Sequence, residues 1–257
     1  MINIENAYKE FDAYVSNFNP EDDKIKLKIE HTKRVAKLSR KVAESLNLSK
    51  EKVNLAELIG LFHDMGRFKQ IQVYNTFNDR ISFNHAELSI QLLFDENLID
   101  KFNVDEEYKN IIKLAILNHN KRSIDESLNE EEMLFAKIIR DADKLDIFYT
   151  LCEYDYKTIF THSNFDCGPI SDQIMSDFIN EHFVNYSLIK SASDQIPTFY
   201  AYVFNLYFEF SLKFLVQKNY LAIFTNRIYK HFTNNTVKEQ VKQIVDITNN
   251  FLEKYNK

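Results

Sequence analysis

The sequence predicts an all-helical protein. Two observations carry that reading. The chain has 257 residues but only three glycines and three prolines, and its apolar residues recur at three- and four-residue intervals over long stretches. Turn-rich β sandwiches and barrels need more turn formers than this, and a period near 3.6 marks amphipathic helices. Hydrophobic residues make up 45% of the chain and charged residues 27%, enough apolar material for a sizeable core.

Residues 24–47 read as the first helix, with Ile25, Ile29, Val35, Leu38, Val42 and Leu46 on helical spacing and charges between them. Ser49 caps a second, followed by Glu51 and Lys52. It carries Val53, Leu55, Ala56, Ile59, Leu61 and Phe62 and is expected to end near Gly66. Residues 67–83 mix Asn, Asp and Thr with aromatics and read as a loop crossing a site. Ser82 or Asn84 caps a helix through Ala86–Leu93, and residues 105–119 form another, with Ile111, Ile112, Ala115 and Ile116 on its buried face. A polar loop at 120–129 leads into a long helix over 130–156. The Gly–Pro step within 161–170 is the clearest break. Helices are then expected at about 171–185, at 197–230 with an interruption near Asn219, and at 236–255. The expected division is a metal-binding part at 1–160 and a helical extension at 161–257 that packs on it as one unit.

Composition excludes several classes. A formal net charge of -6 is wrong for a chain that grips a long polyanion, although a local basic pocket stays open. Cys152 and Cys167 are too few for a disulfide framework, so a reduced, cytoplasmic setting is expected. The N-terminal stretch carries early acids and no long apolar run, unlike a secretory signal. No segment reaches the roughly 18 apolar residues that span a bilayer. The C-terminal part is rich in Phe and Tyr, which reads most simply as core packing or a dimer face.

Chemistry concentrates in a set of histidines and aspartates. Divalent metals need several His and carboxylate ligands converging on one point. His31 lies in EHTKRV, and His63 and Asp64 are adjacent in LFHDMGRF. Neighbours on a helix point about 100° apart, but at a helix end both can turn toward one ion. Asp143 sits in RDADKLDIF inside an apolar helix, where an unpaired carboxylate is costly and a metal would account for it. His85 in SFNHAEL and His119 in ILNHNKR could serve a second ion with Asp64 as the bridge. His162, His182 and His231 fall outside this pattern and read as surface or satisfied core histidines.

The order H…HD…H…H…D, with HTKRVAKLSRKVA, AELIGLFHDMGRF and IIRDADKLDIF, resembles the HD-domain metal-dependent phosphohydrolase superfamily over roughly residues 25–150. The resemblance implies an HD-domain helical bundle with an additional C-terminal helical extension. It implies metal ligands at His31, His63, Asp64 and Asp143, with His85 and His119 matching the extra pair of dinuclear members. Asp141 then becomes a supporting group or a helix cap. One or two divalent transition metals per chain are expected, drawn from Mn, Fe, Ni, Co or Zn.

The activity implied is hydrolysis of a phosphate ester, of a nucleotide or related small molecule. Asp64 would orient the nucleophile, and Arg67 and Lys121 would neutralise phosphate charge. Arg140 and Lys144 read equally well as solvated charges. Two alternatives stand beside this reading: a di-iron oxygenase with the same ligands, and a nucleotide-binding signalling domain with little turnover. No membrane and no long nucleic acid are expected as partners, and a homodimer is left open.

Overall fold

A computed structural model describes residues 2–160, 162, 164, 165 and 167–255, and among these there is no strand. The chain divides into two compact units, Met1–Asp146 and Ile147–Lys257. No helix among the described residues is long and apolar enough to cross a membrane.

The first unit opens with α1 (Ile4–Val15), capped by the Asn3 side chain and burying Ala7, Phe11 and Val15 along one face. Capped by Asp22, α2 (Asp23–Ser45) buries Ile25, Thr32, Val35, Ser39 and Val42. Ser49 caps α3 (Lys50–Phe62), as its position predicts. Every residue of α3 from Val53 to Phe62 is buried, so this helix is the core around which the unit is built. Its crossing with α2 is close: a Cβ on Gly60 would stand 2.6 Å from Ala36 Cα.

Residues 67–83 depart from the expected loop. Most of the stretch is helical: α4 (Met65–Tyr74) begins immediately after the His63–Asp64 pair, and irregular chain starts only at Asn75. Gly66 does not end a helix; it lets two backbones meet. A Cβ there would lie 2.5 Å from the His85 carbonyl oxygen and 2.7 Å from Ser89 N. Both neighbours are backbone of α5 (His85–Ile90), the helix that Asn84 caps and that runs into a π turn over Gln91–Asp95. Gly66→Ala should therefore destabilise the protein by about 3 kcal/mol, the upper part of the overpacking range, because backbone cannot yield as a side-chain tip can. The check is the denaturant midpoint at unchanged m-value; a midpoint equal to wild type would show that α4 and α5 separate freely.

The unit continues with α6 (Glu106–His119) and the polar loop, and then α7 (Glu130–Glu153), within which the division between units falls. In the second unit come α8 (Tyr156–Ile159), α9 (Asp172–Glu181), α10 (Ala192–Ala201), α11 (Glu209–Gln217), α12 (Tyr220–His231) and α13 (Asn235–Leu252). The expected interruption at Asn219 is present, and a second one separates α10 from α11. Thr161, Ser163 and Asp166, inside the predicted break at 161–170, lie outside the described residues; the described positions there are non-helical. Phe178, Tyr200, Phe224 and Phe232 are fully buried, so much of the aromatic richness of this part is core. Arg227 donates to the carbonyls of Leu151 and Tyr154, 2.6 Å each, with its guanidinium over the Tyr156 ring.

With so few glycines, asparagine supplies the left-handed residues. Asn47, Asn75, Asn97, Asn103 and Asn219 all have φ between 50° and 57°, where Asn is the best-tolerated substitute for Gly. His182 takes the same conformation at the end of α9 and stacks on Phe204.

Candidate metal centre

The HD pair sits at a joint. His63 closes α3, and Asp64, with φ -111° and ψ 17°, precedes the first residue of α4. The break in helical direction lets two sequence neighbours address the same interior point. Ser89 locks the joint to α5, accepting from the Gly66 N–H at 2.8 Å and donating to the His63 carbonyl at 3.0 Å. His85, one turn earlier on α5, is thereby fixed relative to Asp64.

Six sequence-predicted side chains meet here, and they sort around the two oxygens of Asp64. Oδ2 lies 3.4 Å from His31 Nε2 and 3.5 Å from His63 Nε2. Oδ1 lies 3.5 Å from His85 Nε2 and 3.9 Å from His119 Nε2. Asp143 joins the first group, its Oδ1 3.2 Å from His31 Nε2 and 3.8 Å from His63 Nε2. Two clusters that could each hold an ion, His31–His63–Asp64 and Asp64–His85–His119, therefore share one carboxylate. Side-chain exposure is 4% or less for His31, His63 and Asp64 but 18% for Asp143, so the centre reaches solvent on the Asp143 side.

Each histidine is held by its other nitrogen. Nδ1 of His31 donates to Asp146 Oδ2 at 2.7 Å, and that of His63 to the Gly60 carbonyl at 2.7 Å. Nδ1 of His85 donates to Asp79 Oδ2 at 2.6 Å, and that of His119 to the Ile116 carbonyl at 2.6 Å. Carbonyls and carboxylates only accept, so each of the four imidazoles carries a proton on Nδ1 and, in its neutral form, presents the Nε2 lone pair inward. The Nε2 atoms of His31 and His63 are buried without a hydrogen-bond partner. Those of His85 and His119 stand 3.0 Å apart, two lone pairs that repel unless a cation or a proton lies between them.

Electrostatics follow the same division. Burial, with His31 and Lys28 adding to it, lowers His63, and burial with Arg67 lowers His85 to about 4; burial with His63 lowers His119 to about 4. These three are neutral near pH 7, the form that ligates metal. His31 differs: burial and Lys28 depress it, but Asp143, Asp146 and Asp64 outweigh them and raise it to about 10. Burial opposes ionisation of Asp64, yet Lys28 and the surrounding histidines hold its carboxyl well below the usual range.

Arg67 is brought to the centre. Its Nε is 3.6 Å from Asp64 Oδ1, while Nη1 donates to Asp79, Gln70 and the Phe77 carbonyl. Lys121 is not brought in; its side chain is exposed on the loop after α6, and its carbonyl accepts from Arg140 at 2.6 Å. Arg140 is buried rather than solvated. It donates to the carbonyls of Asn118, Lys121 and Arg122 and so secures the end of α6 that carries His119. Lys144 is also buried, its ammonium pushed down to about 8 by burial and Arg140. Asp141 is a buried residue inside α7, not a helix cap.

Three neighbours of the site have no counterpart in the sequence reading. Asp146 orients His31 and is itself held by Arg34 Nε at 2.6 Å. Asp79 orients His85, and Lys28 Nζ stands 2.5 Å from Asp64 Oδ2. Asp146 and Lys28 lie one helical turn from Asp143 and His31, an offset that places them on the same face and is a usable signal. Asp79 lies in a 3₁₀ turn, where no periodicity points to it.

Residues 29–147 match the HD domain family. This segment is an HD domain. It contains all six clustered residues, and helices continue beyond it toward the C-terminus. HD domains are a metal-dependent, hydrolase-type superfamily that binds divalent ions. No curated protein and no solved structure matches the chain. The HD-domain residues fit such ions: Nε2 of His31 and of His63 is buried without a hydrogen-bond partner, and one carboxylate belongs to both clusters.

Proposed function

We propose that the HD domain is a metal-dependent phosphohydrolase that cleaves a phosphate ester, of a nucleotide or related small molecule. The observation that carries this reading is the division of four imidazole Nε2 atoms between the two oxygens of Asp64. That arrangement suits a pair of ions sharing a ligand. His31, His63, Asp64 and Asp143 would hold one, and Asp64, His85 and His119 the other. When bound, the ions supply Lewis acidity toward water and a phosphoryl oxygen. The protein's part is to fix the ligands. Asp146, Asp79 and the Gly60 and Ile116 carbonyls set the tautomers, and Arg140 holds the end of α6. Arg67 adds positive charge beside the second cluster, where a phosphate ester carries its negative charge.

The test is a panel of phosphomonoesters, phosphodiesters and nucleotides with protein loaded in turn with Mn, Co, Ni or Zn. Release of phosphate or nucleotide is expected, abolished by a chelator and restored by returning the metal. Absence of hydrolysis by any fully loaded form would sink the proposal. An O₂-dependent reaction of an iron form without phosphate release would favour the di-iron oxygenase instead.

A further inference from the structure

We infer that Lys28, rather than Lys121, is the partner of Arg67 in receiving the phosphoryl group; this rests on the phosphohydrolase reading. The two cations flank one carboxylate. Lys28 Nζ is on Asp64 Oδ2, the oxygen turned to His31 and His63, and Arg67 Nε is nearest Oδ1, the oxygen turned to His85 and His119. Both also lie beside the half-buried Phe77 ring, at 5.4 Å and 5.8 Å from its centroid. Their side chains are 14% and 13% exposed, on a centre whose Asp143 also meets solvent, so a ligand can reach them.

Each cation already has a carboxylate partner, Asp79 for Arg67 and Asp64 for Lys28, yet each keeps donor capacity for a ligand. Arg67 Nε is buried with no hydrogen-bond partner, although its Nη1 is fully engaged. Lys28 has Asp64 as its acid, but on the oxygen that the first cluster needs for its ion. A divalent cation drawing on that oxygen weakens the carboxylate's hold on the ammonium, which then requires a second anion. A phosphoryl group presented to the centre supplies oxygens for both Lys28 and Arg67, as charge-assisted acceptors. Phe77 would back the two cations and keep water from their far side. Lys28 is thus assigned to phosphoryl binding, not to holding metal.

The assignment separates metal content from anion affinity. Lys28→Met, Lys28→Gln and Lys28→Arg would be loaded with Mn, assayed for metal and titrated with inorganic phosphate by calorimetry. Lys28→Met and Lys28→Gln should keep at least the wild-type metal content and lose about 10-fold or more in phosphate affinity. Lys28→Arg, which keeps the charge, should stay much closer to wild type. If either neutral variant folds, the comparison stands; if neither does, or if both lose metal, Lys28 is a structural partner of Asp64 and the assignment falls. Equal phosphate affinity in wild type and the neutral variants at equal metal content overturns it while leaving the phosphohydrolase reading intact. Failure of metal-loaded wild type to bind phosphate removes both.

Discussion

Asp64→Ala is expected to lose both ions and to reduce turnover at least about 10³-fold, while His231→Ala does neither. Among the described residues, no other side chain belongs to both clusters. Without it the second site keeps two neutral imidazoles and no charge, and the first keeps His31, His63 and Asp143. Lewis-acid stabilisation of a phosphoryl transition state amounts to several kcal/mol, and each 1.36 kcal/mol is tenfold in rate, which sets the expected loss at about 10³ or more. The substitution also leaves Lys28 beside the histidines without its acid, so the variant should be less stable. Circular dichroism therefore accompanies the elemental analysis. His231 is the matched control: an exposed residue of the second unit whose Nδ1 donates to its own helix. A folded Asp64→Ala protein with full metal content would show that the ligand assignment is wrong.

Stability should respond to the metal as well as activity does. His85 and His119 present opposed lone pairs at 3.0 Å, and three carboxylates raise His31. An ion bound to the folded chain and not to the unfolded one stabilises by about 2.7 kcal/mol at a hundredfold excess over its dissociation constant. Chelation should accordingly lower the melting temperature of wild type but leave that of Asp64→Ala unmoved.

How much of this was legible in the sequence depends on whether a signal is local. The cap at Ser49 and the left-handed break at Asn219 are local, and both stand in the structure where they were expected. So is the HD joint, because an apolar helix ending on two polar residues is visible in the chain itself. Residues 67–74 read as the start of a loop in the sequence because Gly66 looks like a stop. Its true role is to let α4 lie against the backbone of α5, a reason that exists only once the two helices have met. Asp79 failed for a similar reason. It lies in a short 3₁₀ turn between α4 and α5, and only the tertiary approach of His85 Nδ1 gives it a task. Lys121 draws notice because it follows His119 by two residues; Lys28, one turn from His31 on α2, is not among the cations the sequence singles out. Proximity along a loop is weaker evidence than a helical offset, since a turn of helix fixes direction and a loop does not. The aromatic-rich C-terminal part could be recognised as core material, but no Gly or Pro marks its break between α10 and α11.

The double variant His85→Ala/His119→Ala decides how many ions the HD domain uses. On the dinuclear reading it should lose one equivalent of metal and most of its turnover, while the first site stays filled. The structure gives this a definite physical basis. The first cluster keeps His31, His63, Asp64 and Asp143 untouched, with His31 and His63 still oriented by Asp146 and the Gly60 carbonyl. The second keeps only one oxygen of Asp64, too little to hold an ion against water. Removing two imidazoles also leaves Asp79 without its donor from His85, though Arg67 and Gln70 still hold it in place. The loop it anchors should therefore persist, and the loss should be of metal rather than of fold. Asp79→Asn provides an intermediate step: an amide at that position can donate to His85 Nδ1 and favour the wrong tautomer, and loss of such an orienting partner weakens metal affinity by about 10–100-fold. Second-site occupancy should therefore fall in the order wild type, Asp79→Asn, double variant, with the first equivalent constant throughout. Metal counted by elemental analysis at several free-ion concentrations reads that order directly. A single equivalent in wild type and in the double variant alike, with only the rate reduced, would make the centre mononuclear and leave His85 and His119 as groups that act on the substrate.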